Sequence, residues 1–411
     1  MNNSNLQLDV SNNQLFPVKI IGINSVNKYF DLTSENIYIR RKSPYKYRHY
    51  QSFKIKISNE NIDSIIENIN FSTIEYKILG GEKVFSVGLS NYNSNEENIL
   101  STDALRLKEN IKEFDFIKSV DNVFYIKKGK WDINKPLILP KNGKLVVQAG
   151  VELVLKNNSY ILSRIPLKFI GTEQNPIIIS STGNGQGLFV MNTEEEAILK
   201  NVSFISLTAP STQGWSLTGA VTFYQAPVLI ENCNFFNSKS EDSLNIFRTK
   251  FKIIDSYFKD SNSDAIDLDF SEGVLKNIKM TNIGNDGLDL SGSNVFLSLM
   301  EIEGVGDKAI SVGEKSQLVA ENINIKNSRI GIASKDQSNV EANSINIKNT
   351  SIGYALYQKK PEFGPAYLKI MNQSLDNVEK KYLQDRFSLL KIDGQIFSSN
   401  ILKVDETDLL D

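Results

Sequence analysis

Carboxylates recur at one interval in the second half of this chain. Asp242, Asp264 and Asp286 lie 22 residues apart in a series that ends at Lys308, and Asn245, Asp267 and Asp289 form a second series that ends at Ser311. Asp269 falls two residues beyond Asp267. If the interval is one structural repeat, each series is a column. Like charges about 5 Å apart in a column need a bound cation, shared protons or adjacent bases. Arg248 and Lys308 are the bases in reach. Calcium suits Asp267, Asp269 and Asp289, because a hard cation takes several carboxylate and carbonyl oxygens; the spacing is not that of an EF-hand loop. Two catalytic schemes draw on the same residues. In a lyase, a cation and Asp residues neutralise a uronate carboxyl while Arg248 or Lys308 removes the adjacent proton. In a hydrolase, two of Asp264, Asp267, Asp286 and Asp289 serve as acid and base, with neighbouring repeats supplying separations of about 5 to 9 Å. The structural alternative is that Asp and Asn bond local backbone and ladder along an edge.

The elements that must hold these columns are short. Apolar pairs recur as Leu244-x-Ile246, Ile266-x-Leu268, Leu288-x-Leu290, Ile310-x-Val312, Ile332-x-Ser334 and Tyr354-x-Leu356, their first members 22 residues apart. Before them come further alternating segments, such as 254–258, 278–280, 323–325 and 345–347, with Asn, Ser, Gly and Asp turns between. Strands of this length bury nothing unless the next copy stacks on them, and stacking makes a solenoid. The period has no room for a βαβ crossover and no 3.6-residue pattern. What is left is a parallel β-helix, six coils over about 228–360 giving a rod of roughly 29 Å. Positions 245, 267 and 289 have the opposite parity to the apolar pairs, so their side chains point outward.

Looser coils begin near Val123 and run through 137–139, 145–147, 153–155 and 221–223. Residues 103–113 have helix-forming composition and make a plausible N-terminal cap, since a solenoid must cover its open ends. Residues 358–365 break the repeat with two prolines, and 405–411 read as an acidic tail. Strand signals at 16–21, 37–39, 53–57, 74–78 and 84–87 have no such period and suggest a small antiparallel sandwich. The expected organisation is all-β: an antiparallel β-sandwich-like domain over 1–100, a linker and solenoid cap over 101–120, the β-helix over 121–366, and a C-terminal cap with acidic tail over 367–411.

Composition narrows the rest. With 411 residues, 40% of them hydrophobic, and a formal net charge of −2, the chain can build a large core and has no general pull toward nucleic acid or membrane. A single cysteine, Cys233, excludes an intrachain disulfide and a cysteine-built zinc site. A single histidine, His49, excludes sites that need two. No run approaches the roughly 18 apolar residues of a membrane helix, and the first ten residues lack the pattern of a secretory leader. Residues 40–50 interleave five bases with aromatics, which reads as a solvated hairpin tip rather than a grip on an anionic polymer. Trp215 and Tyr224 are candidate sugar-stacking residues, set against ordinary packing. Gly284, Gly287 and Gly292 read as turn punctuation.

The ordered segments GWSLTGAVTFY (214–224), EDSLN (241–245), SDAIDLD (263–269), GNDGLDLSGS (284–293), GDKAISVG (306–313), IGIASK (330–335) and YQKKPEFGPA (357–366) resemble the right-handed parallel β-helix repeat proteins of bacteria. More narrowly they resemble β-helix segments that accompany regions similar to spore-coat protein H kinases. The resemblance covers about 120–366. It implies right-handedness, a pectate-lyase-like fold and an extracellular or cell-surface setting, although no signal peptide is written here. The catalytic histidine of alginate-epimerase-like enzymes has no counterpart within 120–366, and a kinase motif set is absent. The reading is a carbohydrate-binding, surface- or assembly-associated protein whose partner is a polysaccharide or cell-surface glycan, with a further protein partner in the assembly. A polysaccharide lyase or hydrolase is the first alternative, and a purely structural partner of a kinase-like polypeptide the second.

Overall fold

A computed structural model describes residues 5–10, 12, 16–24, 30–32, 37–40, 51–57, 72–89, 107–212, 215–404 and 409. Residues 41–50 with His49, 103–106, 405–408, 410 and 411 lie outside them. Contacts divide the chain into two compact units, Met1–Glu96 and Glu97–Asp411.

The first unit holds two antiparallel sheets. One pairs Asn5–Val10 and Phe30–Leu32 with Gln51–Ile57; the other orders Ile37–Ile39, Val18–Asn24, Thr73–Ile78 and Val84–Gly88 side by side. Val18, Ile20, Ile37, Ile39 and Ile74 are buried, and Leu8, Val10 and Phe53 of the other sheet pack on them, as alternation on half-buried strands requires.

The second unit is a right-handed parallel β-helix of about 12 turns, the hand that parallel crossovers take. Each coil gives three strands, and like strands of successive coils pair in parallel. The ladder that carries the acidic series runs from Leu137–Ile138 through Ile161–Ser163, Leu188–Met191, Gly219–Tyr224, Asp242–Phe247 and Asp264–Asp269 to Leu288–Ser291. It continues in the ends of the long strands Asn294–Gly313, Gln317–Lys335, Asn339–Tyr357 and Tyr367–Gln384. Leu244, Ile266, Leu288, Ile310, Ile332 and Tyr354 stack as one core column, each 0% exposed. Upstream, the same position recurs as Leu137, Ile161, Leu188, Val221 and Leu244, at spacings of 24, 27, 33 and 23. Longer turns absorb the extra residues, so those coils look irregular in sequence. Cys233 is buried in this core, which pushes its thiol up to about 12.

Two expected boundaries move. The helix does not stop at 366: Tyr367–Gln384 stacks in register on Asn339–Tyr357, with Ile345 opposite Gln373 at a spacing of 28. The prolines 361 and 365 occupy an insertion between coils, not an end. Leu389–Ile392 adds one more rung before an antiparallel turn to Gln395–Phe397. At the other end, residues 107–113 form only a 3-10 turn, Ile111–Glu113. The Asn110 side chain closes the first rung instead, donating to the Pro136 carbonyl and accepting from Ile138 N–H, both at 2.8 Å.

Turn columns elsewhere on the rod use left-handed Asn and Asp that ladder through side chains, as in Asn277 to Asp255 and Asn282 to Asp260, both 2.6 Å. These residue types tolerate that conformation.

Candidate functional site

The two acidic series differ in burial, though their carboxylates lie close enough to raise one another. Asp242, Asp264 and Asp286 are buried where the coil turns into the strand. Asp264 Oδ1 accepts the backbone N–H of Asp286 at 2.9 Å and the Asn285 amide at 2.7 Å. Asp286 Oδ1 accepts the backbone N–H of Lys308 at 3.0 Å and its ammonium at 3.4 Å. Each carboxyl thus ties down the next coil. The column closes in an ion network, because Lys308 also pairs with Asp307, which accepts Arg329 Nε at 3.1 Å and Nη2 at 2.5 Å. Burial pushes Asp242 up to about 7 and, against the pull of Lys308, Asp286 up to about 6. Asp264 is raised by burial too, in opposition to its hydrogen bonds. Burial disfavours the Lys308 ammonium, but Asp286 and Asp307 outweigh it and raise the group. A lysine that must take up a proton needs the opposite shift. Asp264, Asp286 and Lys308 therefore brace the coils.

The second series faces outward. Asn245, Asp267 and Asp289 alternate with core residues and stack in register. Asn245 Nδ2 donates to Asp267 Oδ2 at 2.9 Å and to Asp269 Oδ2 at 3.2 Å. Burial first, then the carboxylates of Asp242, Asp269 and Asp289, hold Asp267 well above the ordinary range. Asp269 is raised by burial, while hydrogen bonds from Asn245 and Asp267 act the other way. Both shifts point toward the acid form, the direction that a like-charge pair takes when no base or cation offsets it.

One rung on, Asp289 Oδ1 lies 3.9 Å from the ammonium of Lys335. Burial opposes the Lys335 charge, yet Asp289 and its neighbours outweigh it and raise the group. Lys335 reaches back across Gly313, where a Cβ would meet its Cε at 3.4 Å. Asp289 Oδ1 and the hydroxyl of Ser311, which is 0% exposed, have no hydrogen-bond partner. Among the described residues no three His, Cys, Asp or Glu side chains are arranged to hold a metal ion.

The aromatic candidates also divide. Trp215 packs its ring on Tyr160 and Phe189, at 5.5 and 5.8 Å, and caps an apolar outer patch with Ile138, Leu162 and Met191. Among the described residues its indole N–H has no hydrogen-bond partner. Tyr224 stacks on Phe247 at 5.2 Å, one rung before Asp269. Arg248 lies over the rings of Phe247 and Phe270, at 5.2 and 5.5 Å. A guanidinium does not give up its proton near neutrality, so Arg248 in this place is a donor and not a base. Phe247, Phe270 and Lys335 escaped the sequence reading. The signal was there: Phe247 extends the outward column of Asp269, and Phe270 follows Arg248 by 22 residues.

Residues 243–365 match the family described as right handed beta helix region. No curated protein matches the chain. Among solved structures it is similar to a periplasmic alginate epimerase, with a TM-score of 0.45 and 12% identity over 67% of this chain and 79% of that one. It is also similar to the catalytic domain of a GH87 α-1,3-glucanase in complex with nigerose (TM-score 0.39, 11% identity, 99% and 89%). A third is PfbA, a surface adhesin of Streptococcus pneumoniae (TM-score 0.37, 12% identity, 67% and 91%). What the site does is read from its own geometry.

Proposed function

We propose that this protein binds a polysaccharide on the outer face of the β-helix, over Asn245, Phe247, Asp267, Asp269 and Asp289. The observation that carries the reading is the partly exposed row Asp267, Asp269 and Asp289 beside the Tyr224–Phe247 stack. Carboxyls supply acceptors for sugar hydroxyls and, where burial pushes them toward the acid form, donors as well, and aromatic rings cover the apolar faces of sugar rings. The test is calorimetric titration with a panel of neutral and acidic oligosaccharides on the wild type and on Asp267→Asn/Asp289→Asn. The expected result is saturable binding that weakens by about tenfold or more in the double variant. Equal binding by both proteins sinks the proposal. The expectation of calcium at Asp267, Asp269 and Asp289 is tested in the same titration, run with and without the ion.

A second reading has its own observation. A carboxyl that burial pushes toward its acid form, Asp267, beside another carboxyl one rung away, Asp289, is the kind of pairing that acid–base glycoside hydrolysis uses. The lyase variant has less to draw on, since Lys308 is engaged by Asp286 and Asp307 and Arg248 lies over two aromatic rings. Release of reducing ends from the bound glycans, abolished in Asp267→Asn, separates hydrolysis from binding alone. Association with a kinase-like polypeptide of the spore-coat protein H type is a separate proposal, tested by co-purification.

A further inference from the structure

Arg248 and Phe270 occupy equivalent positions on successive coils, and both have left-handed backbone, with φ of 52° and 49°. In the other turn columns this conformation falls mostly to Asn and Asp, such as Asn277, Asn282 and Asn327, with Leu299 as a bulky exception. For Arg and Phe it costs backbone energy, and such costs gather at functional sites. The strained pair is also displayed. Phe270 is 54% exposed, yet its ring is held in place. The guanidinium of Arg248 covers it from one side, and on the other it rests over Gly292, where a Cβ would fall 2.7 Å from its Cδ1. Among the described residues Arg248 makes no ion pair, although Asp269 is on the next rung. A guanidinium laid flat on aromatic rings keeps its N–H donors at its rim, in the fork geometry that matches a carboxylate.

We propose that Phe247, Arg248 and Phe270 form a subsite for an anionic sugar unit, the rings stacking on the sugar and Arg248 taking its carboxylate. The inference rests on the glycan-binding reading of the outer face and deepens it by naming the charge class of the ligand. Burial holds Asp267 and Asp269 toward their neutral forms, which reduces the repulsion an anion meets beside them.

The test titrates full-length protein with oligogalacturonates and oligoalginates, and with their carboxyl-reduced, neutral counterparts. The wild type is expected to prefer the acidic member of each pair by about tenfold or more. Arg248→Gln is expected to bind both members alike. Phe270→Asn is expected to weaken binding to both by about tenfold, while its melting temperature stays level or rises, because Asn tolerates the left-handed turn. That combination separates a lost contact from a lost fold. Unchanged preference in Arg248→Gln, or wild-type binding by Phe270→Asn, overturns the subsite. In that case continued loss of binding in Asp267→Asn/Asp289→Asn leaves the glycan reading standing. If the wild type binds neither the acidic nor the neutral oligosaccharides, both readings fall.

Discussion

Asp242 and Asp267 are both pushed toward the neutral acid by burial, and the Asp242 carboxylate adds to the shift of Asp267. Asp242 is 2% exposed, with an oxygen that has no partner. A carboxyl raised in the folded state binds its proton more tightly there than in the unfolded chain. Its contribution to stability is full below the unfolded value near 4 and is lost as pH rises through the folded value, about 7 for Asp242 and about 6 for Asp286. Asp307 and Glu314 are lowered, because their cationic neighbours outweigh burial, so their contribution fails only on the acid side of that window. The protein is therefore expected to melt at a higher temperature near pH 5 than near pH 8. Asp242→Asn should flatten that slope, by up to roughly 1.4 kcal/mol per unit of the shift removed. Melting curves at the two pH values check it, and an unchanged slope counts against the buried-acid account. Asp286→Ala leaves Lys308 paired with Asp307 alone and takes away the acceptor of its backbone N–H, and is expected to cost about 1–3 kcal/mol. Asp267→Asn removes repulsion on the outer face and should cost less than about 1 kcal/mol. Urea unfolding of the two variants measures the contrast. Spacing placed all three in columns but could not say which column was buried, because that depends on where the coil bends.

At the scale of elements the turns decide more than the strands. Alternation made the strands readable, since a core position must recur in every coil to stack, as Ile266, Leu288 and Ile310 do. The turns use close approaches that composition hides. A Cβ at Gly284 would lie 2.1 Å from the Asn262 carbonyl, and one at Gly306 would lie 2.1 Å from the Gly284 carbonyl. Gly284→Ala and Gly306→Ala are each expected to lose about 3 kcal/mol or more, since main chain must move in adjacent coils. Leu299 is the reverse case. It sits at φ 58° and is 48% exposed, between Asn277 and Asn322 in the same turn column. Leu299→Asn should gain about 1 kcal/mol by relieving the backbone and completing the amide ladder. A shift of the urea midpoint to higher concentration is the expected readout, and a lower midpoint would contradict it.

For the molecule, the stacked core sets the response to shortening. Ile345 and Ile347 are covered by the coil Tyr367–Gln384. A chain ending at 366 would uncover them and leave Asn339–Tyr357 as a bare edge, a template for pairing between molecules. Size-exclusion chromatography should show that shortened chain as soluble aggregate or as oligomers, with the full chain as the comparison. A monodisperse monomer would mean that the last coils contribute little to the rod.

The sequence alone settled the architecture of the second unit. A 22-residue period of very short alternating strands has only one economical way to bury its apolar residues, which is to stack each copy on the last. It also placed Asn245, Asp267 and Asp289 on the outside, because parity along a strand is fixed by geometry. The N-terminal strands at 37–39 and 74–78 were legible by the same alternation, while Asn5–Val10 and Phe30–Leu32 were passed over, although Leu6, Leu8 and Val10 alternate in the same way. Only the tertiary structure separated the bracing acids Asp264 and Asp286 from the exposed pair Asp267 and Asp269. Only it brought Lys335 across two coils to Asp289 and laid Arg248 between Phe247 and Phe270. Those relations run between coils, perpendicular to the chain, and depend on which turns are left-handed and where a missing Cβ leaves room.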